Sequence, residues 1–329
     1  MSRAAVPPPV TVVMAAAEAW LPRRMGEVES RLVKLSRGHG DTLSGDAEAT
    51  LAAGGKRLRP ILVLLCAGPD SGPAATRAAI AIELVHMATL VHDDVLDGAP
   101  LRRGRPTVVA SSGPERARAV GDLLFSRAFA ELAAPESGAE RRVRLLACAS
   151  VALAEGELAQ RRDAFRTQIS AERYLERCRL KTARLFECAC VIGTDPEPGG
   201  VESEALTTFG GEIGLAFQLL DDVLDVAGPA ERTGKARGTD LLDGTVTLPL
   251  ILAREHDPSL ADLDLRALDP AAAEAACDRI AATRVLEQVR ADAAARVERA
   301  KGALRAAPID EQRRELLTLV ADGVVERYS

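Results

Sequence analysis

Apolar positions recur at helical spacing along almost the whole chain, and no period-two alternation is long enough to predict a useful β-strand. The pattern predicts a first helix ending near Leu35, with Pro22 either kinking it or delaying its start. Residues 1–9, with Pro7, Pro8 and Pro9, read as a flexible N-terminal arm. Short helices are expected over 46–53, stopped by Gly54 and Gly55, and over 61–67, with Pro60 suited to an opening turn. Longer ones are expected over 75–96, 115–133 and 140–165, divided by Gly98-Ala99-Pro100, by Gly113-Pro114 and by a turn at 135–138. Ser170 has the chemistry of an N-cap for the next. After a connector at 195–200 come a helix carrying Gln218 to Asp225, a loop over 228–238, a helix start over 240–250, and amphipathic helices over 270–305 and 309–327.

Composition supports the same picture. Aromatics are 3% and Ala, Leu, Arg and Glu dominate, which favours helix over sheet. Hydrophobic residues, 47% of 329, can fill the core of one large all-α unit, so residues 10–329 are expected to form a single domain. Net charge is −6 and no basic tract is interleaved with aromatics, which argues against a nucleic-acid partner. No run reaches the ~18 apolar residues expected of a transmembrane segment, and Glu18 cuts short the apolar stretch at 10–17, so neither a membrane span nor a signal peptide is predicted. Cys66, Cys148, Cys178, Cys188, Cys190 and Cys277 form no C-x-x-C pair and are expected to be buried thiols of a cytoplasmic protein.

Candidate chemistry concentrates in two near-identical runs, Asp93-Asp94-Val95-Leu96-Asp97 and Asp221-Asp222-Val223-Leu224-Asp225. On a helix the outer aspartates of each run, four residues apart, stack on one face about 6 Å from each other. The middle one sits about 100° round the axis. Carboxylates this close repel unless water or a cation neutralises them. Neither run has the alternating-oxygen loop and central Gly of an EF-hand, whereas Mg²⁺ takes one or two carboxylates and completes its shell with water and substrate phosphate. A phosphorylated substrate is therefore expected. Anion-binding candidates surround the runs: Lys56 and Arg59 before a helix N-terminus, His86 two turns before Asp93, the pair Arg102 and Arg103, and Lys181 with Thr182. His92, beside Asp93 on another face, is expected to be structural.

The blocks Gly54-Gly55-Lys56-Arg57-Leu58-Arg59-Pro60, His86 onward to Leu101-Arg102-Arg103-Gly104, Lys181-Thr182, Phe217-Gln218-Leu219-Leu220-Asp221-Asp222 and 244–249 together closely resemble the trans-isoprenyl diphosphate synthases. The resemblance runs in matching order over about 54–250. It implies an all-α single-domain bundle of antiparallel helices around a deep central cavity, acting as a homodimer on isopentenyl diphosphate and an allylic diphosphate. By the resemblance, Asp93, Asp94, Asp97, Asp221 and Asp225 would hold three Mg²⁺ ions, with Asp222 in support. Arg102, Lys181, Thr182, Gln218 and Lys235 would contact the allylic diphosphate; Lys56, Arg59, His86 and Arg103 would hold isopentenyl diphosphate. One departure is Thr245, in Gly244-Thr245-Val246-Thr247, where relatives commonly carry Lys.

Product length is implied by the same resemblance. Farnesyl-making relatives have a bulky aromatic near Ala88 or Thr89, and here those positions are small, with Val85 and Ile82 at successive turns beneath. Each 5.4 Å turn is about one isoprene unit. The expected product is longer than C15, of medium or long chain, with C20 as the alternative. A terpene cyclase is disfavoured because its second metal motif differs from Asp221-Asp222-x-x-Asp225, and a noncatalytic partner subunit has only Thr245 in its support.

Overall fold

The structure, a computed structural model, describes residues 8–37, 40–52, 55–102, 104–194, 199–228 and 237–326. Helices α1 (Pro8–Ala16), α2 (Leu21–Ser36), α3 (Gly40–Ala52), α4 (Leu58–Ala67) and α5 (Pro73–Asp97) come first. A hairpin of β1 (Leu101–Arg102) and β2 (Arg105–Pro106), with Arg102 opposite Arg105, leads to α6 (Val108–Ser112), α7 (Pro114–Leu132) and α8 (Ala139–Asp163). Next are α9 (Ala171–Cys178), a π-turn at Arg179–Ala183, α10 (Arg184–Ile192) and α11 (Val201–Ala227). The rest is α12 (Thr239–Leu242), α13 (Leu248–His256), α14 (Pro270–Ala282), α15 (Val285–Ala306) and α16 (Glu311–Glu326).

The all-α class is the one the sequence predicts, and several boundaries move for local reasons. Proline stands in the first two positions of α2, α5, α7, α13 and α14, where its fixed φ and missing N–H cost nothing. Pro22 therefore starts α2 and kinks nothing. Pro8 opens α1, so the arm expected over 1–9 gives way to helix at residue 8. The stretch expected as one helix start over 240–250 is two helices, separated at Gly244, whose φ of +72° ends α12. Arg284, at φ +64°, divides the expected 270–305 helix into α14 and α15. The two-residue strands lie where no alternation could announce them.

The chain divides into two compact units, the first built from Met1–Ser150, Cys188–Thr207 and Ala307–Gly323, the second from Val151–Glu187, Thr208–Ala306 and Val324–Ser329. In the first, α5 is the central element and packs on α7, α4 and α2. Its residues Ala78, Ala79, Ala81, Ile82, Leu84, Val85 and Ala88 have no exposed surface. By length and composition alone α5 would also reach across a bilayer, with a window of mean hydropathy 1.4. That window is 67% buried, the pattern of a core helix. In the second unit α11 lies against the π-turn and α10. A Cβ at Gly214 would fall 2.7 Å from Ala183 Cα, and one at Gly210 would fall 2.7 Å from the Phe186 carbonyl oxygen. Only glycine permits this backbone approach. Five of the cysteines are buried as expected; Cys148 is exposed on α8.

Candidate active site

The first acidic run closes α5. Asp93 is half-buried and Asp97 exposed, whereas Asp94 is turned inward with 5% of its surface accessible. The 100° offset of the middle residue explains this. Arg102, carried back by the hairpin, donates from Nε to Asp94 Oδ1 at 2.7 Å. That accounts for a buried carboxylate and assigns one of the two predicted arginines an internal partner; Arg103 lies outside the described residues. Up the same face of α5, His86, Thr89 and Leu90 are half-buried, and the accessible stripe ends at Ile82 and Glu83.

The expected length-determining positions differ in exposure. Ala88, Val85 and Ile82 have 0% exposure, so their side chains are enclosed by packing and present no open surface; Thr89 does, with its hydroxyl donating to the His86 carbonyl at 2.8 Å. His92 Nε2 lies 3.3 Å from Asp122 Oδ1 on α7.

Lys56 and Arg59 flank Arg57, which the sequence reading left without a role. Arg57 is the N-cap of α4 in the left-handed region, at φ +48°. It is held there by Glu83 Oε1 at 2.6 Å, by Glu29 Oε1 at 2.6 Å and by the Leu51 carbonyl at 3.2 Å. Burial opposes its charge, but the two carboxylates outweigh burial and raise its pKa. Non-glycine residues at positive φ cost about 1–3 kcal/mol and cluster at functional sites. The Arg57 clamp thus fixes the turn from which Lys56 and Arg59, both half-buried, project. Burial pulls the Arg59 guanidinium down to about 10, against the Glu83 carboxylate, so it remains cationic at neutral pH. A separate cavity of about 480 Å³, lined among others by Arg24, Arg31, Thr76 and Arg77, lies toward the other end of α5, about 25 Å of helix from Asp93.

The second acidic run lies on α11, where Asp221 is exposed, Asp225 half-buried and Asp222 2% exposed. Tyr174 donates its hydroxyl to Asp222 Oδ2, and Gln218 Nε2 donates to Asp222 Oδ1 at 2.8 Å. Burial first, then the nearby Asp240 carboxylate, pushes the Asp222 carboxyl well above the usual carboxylate range. Thr182 donates to Gln218 Oε1 at 2.9 Å. The π-turn carries Lys181 and Thr182; such bulges are frequent at functional sites because they re-aim side chains out of helical register. Lys181 pairs with Glu157 of α8, whose pKa is lowered by Lys181 and Arg161 despite its burial. Above that pair Gly156 sits against the π-turn, with room for no Cβ. Asp225 Oδ2 accepts from the Asp240 N–H at 3.2 Å, which sets α12 beside α11. Thr245 is half-buried next to Gly244, and its N–H donates to the Asp240 carbonyl at 2.7 Å. Lys235 lies outside the described residues.

Tyr174, Glu157 and Asp240 were missed by reading the sequence alone. Tyr174 had a signal: it precedes Lys181 by seven residues, two turns on one helix face. Glu157 and Asp240 act across elements, and spacing carries no such information.

The two runs thus share one design, an i, i+4 pair of accessible carboxylates beside a buried, hydrogen-bonded third. Among the described residues no three acidic, His or Cys side chains converge as a ready-made metal cage. This donor set fits a hard divalent ion that keeps water and takes phosphate oxygens, and it fits poorly an ion needing an all-protein shell. An all-α protein whose accessible carboxylate pairs accompany basic side chains is equipped to handle diphosphates with divalent ions. The chain belongs to the polyprenyl synthetase family, whose model matches residues 41–281, and it is a prenyltransferase with the isoprenoid synthase fold. It is 41% identical over 235 residues to heptaprenyl diphosphate synthase component 2 of Geobacillus stearothermophilus, covering 70% of this chain and 72% of that protein. Identity to the octaprenyl diphosphate synthase of Haemophilus influenzae is 34% over 284 residues, 84% and 85% of the two chains. The crystal structure of a polyprenyl synthase from Caulobacter crescentus CB15, complexed with calcium and isoprenyl diphosphate, matches with a TM-score of 0.86 and 34% identity over 99% of this chain and 100% of that one.

Proposed function

We propose that the protein is a trans-polyprenyl diphosphate synthase that condenses isopentenyl diphosphate head-to-tail with an allylic diphosphate, making a medium- or long-chain product. The observation that carries this reading is the pairing of accessible aspartates, Asp93 with Asp97 and Asp221 with Asp225, in a chain of the polyprenyl synthetase family. These four residues would hold Mg²⁺ ions, three by analogy with the family, and Asp94 and Asp222 act from behind as hydrogen-bonded supports. When bound, the metal supplies charge neutralisation for the departing diphosphate.

The chain's own residues do the rest. Lys56, Arg59 and His86, with Arg103, bind isopentenyl diphosphate, so that its double bond is presented to the allylic carbon. Lys181 and Lys235 counter the charge of the allylic diphosphate, Lys181 by exchanging Glu157 for a phosphate oxygen. Thr182 and Gln218 orient their dipoles toward the reacting end and offer no nucleophile. Fixed charges and dipoles of this kind act most strongly where charge develops in the transition state. The allylic cation is then attacked by the isopentenyl double bond, and a proton leaves to the released diphosphate. Thr245, uncharged, removes one cationic contact, which weakens allylic binding by about tenfold or more.

The relatives named for hepta- and octaprenyl products favour chains beyond C20. One of them is named a component of its synthase, which supports a second reading: a subunit that needs a partner. A homodimer is the preferred assembly, since Val151 and Leu158, seven residues apart on α8, are 58% and 57% exposed and form an apolar stripe with exposed Cys148. Incubating the purified chain alone with Mg²⁺, labelled isopentenyl diphosphate and farnesyl diphosphate tests the proposal. Elongated prenyl diphosphates are expected; failure with every allylic primer refutes it, and activity only with an added partner supports the subunit reading.

A further inference from the structure

We infer that Tyr174 is a positioning residue for this reaction, acting through Asp222 and Gln218 on the allylic side of the site. The inference rests on the proposed roles of Gln218 and Thr182 as substrate contacts. Its basis is a continuous relay within one unit. The Tyr174 hydroxyl donates to Asp222 Oδ2, Asp222 Oδ1 accepts from Gln218 Nε2 at 2.8 Å, and Gln218 Oε1 accepts from the Thr182 hydroxyl at 2.9 Å.

The relay has a direction that only Tyr174 can set. A glutamine amide has a donor end and an acceptor end of nearly equal shape, so its orientation is decided by its partners. Here Asp222 Oδ1 takes the donor end at 2.8 Å, leaving the carbonyl for Thr182 at 2.9 Å. That oxygen stays in place only if the other oxygen of Asp222 is anchored. Tyr174 and Asp222 are 1% and 2% exposed, so water cannot substitute for the phenol. Cys178, one turn from Tyr174 and 6% exposed, is a weak donor that cannot replace it. Removing the hydroxyl lets the carboxyl rotate, and with it the Gln218 carbonyl and the Thr182 hydroxyl lose their fixed aim. The adjacent π-turn, Arg179–Ala183, places Lys181 and Thr182 directly after the helix that carries Tyr174, so one segment supplies both the anchor and the groups it aligns.

The test is a double-mutant cycle of Tyr174→Phe and Gln218→Ala, read as kcat and as KM for isopentenyl diphosphate, with thermal melting alongside. Tyr174→Phe in the otherwise wild-type chain is expected to lower kcat about tenfold and to leave the KM for isopentenyl diphosphate within twofold. In the Gln218→Ala background the same change is expected to alter kcat less than twofold. Equal losses in both backgrounds, or no loss in either, overturn the inference, because a purely structural tyrosine would act independently of Gln218. A second readout separates this outcome from failure of the proposed activity. The ¹⁵N-labelled side-chain amide of Gln218, assigned by its disappearance in Gln218→Ala, is expected to shift in Tyr174→Phe, and an unmoved resonance refutes the relay whether or not the enzyme turns over. Should Tyr174→Phe fail to fold, Asp222→Asn, which confronts Gln218 or Tyr174 with a donor, carries the same two readouts.

Discussion

Replacing Gly156 with alanine should damage catalysis far more than stability. Gly156 faces the π-turn, and a Cβ there would fall 2.6 Å from the Lys181 backbone nitrogen and 2.9 Å from its Cα and Cβ. Ordinary contact begins at 3.4 Å, so the shortfall is about 0.8 Å, and the nearest atoms are backbone that cannot rotate away. The helix must therefore separate from the π-turn, displacing Lys181 from Glu157 and Thr182 from Gln218. Overpacking costs about 1–3 kcal/mol. Alanine returns about 1 kcal/mol of helix propensity, so net destabilisation is expected at about 0–2 kcal/mol. Misplacing an aligned group by about 1 Å can cost as much as 100-fold in rate. The assay compares kcat, measured with labelled isopentenyl diphosphate, with denaturant unfolding of the same sample. Gly26→Ala in α2 is the control, since a Cβ there meets nothing within 4 Å and should be neutral or stabilising. A Gly156→Ala enzyme with wild-type kcat and wild-type stability would refute the view that this contact sets the position of Lys181 and Thr182.

Other outcomes follow from the same geometry. Chelation with EDTA should abolish turnover and leave the far-ultraviolet circular dichroism unchanged, with Mg²⁺ restoring activity, because the aspartate pairs are accessible and the core does not depend on an ion. Thr89→Phe, on the accessible stripe of α5, should shorten the product read by reversed-phase chromatography; Ala88→Phe, at a fully enclosed position, should instead cost about 1–3 kcal/mol in denaturant unfolding. Leu158→Arg should lower the molar mass measured by light scattering from dimer to monomer by placing a charge on the exposed apolar stripe of α8. Cys178 and Cys277, whose thiols are pushed up to about 12 mainly by burial, should resist iodoacetamide at pH 8 as judged by mass spectrometry, since only about one molecule in ten thousand would carry the reactive thiolate.

What the sequence determined by itself was whatever depends on local spacing. Periodicity of 3.6 residues announces α5, α7, α8 and α11, because a helix needs only its own apolar stripe to be recognised. The duplicated aspartate runs, with their i, i+4 carboxylates, and the order of the basic blocks announce the family for the same reason. Packing decided the rest. Which aspartate of each trio faces out and which is buried against Arg102 or Tyr174 depends on how the helix is rotated against its neighbours, and spacing leaves that angle undetermined. The closure of Ala88, Val85 and Ile82 likewise follows from what packs against α5. Residues that act across elements, such as Glu157 on Lys181 or Glu83 on Arg57, become visible only when distant stretches are brought within hydrogen-bonding distance, because a contact is a property of three-dimensional neighbours and leaves no period along the chain.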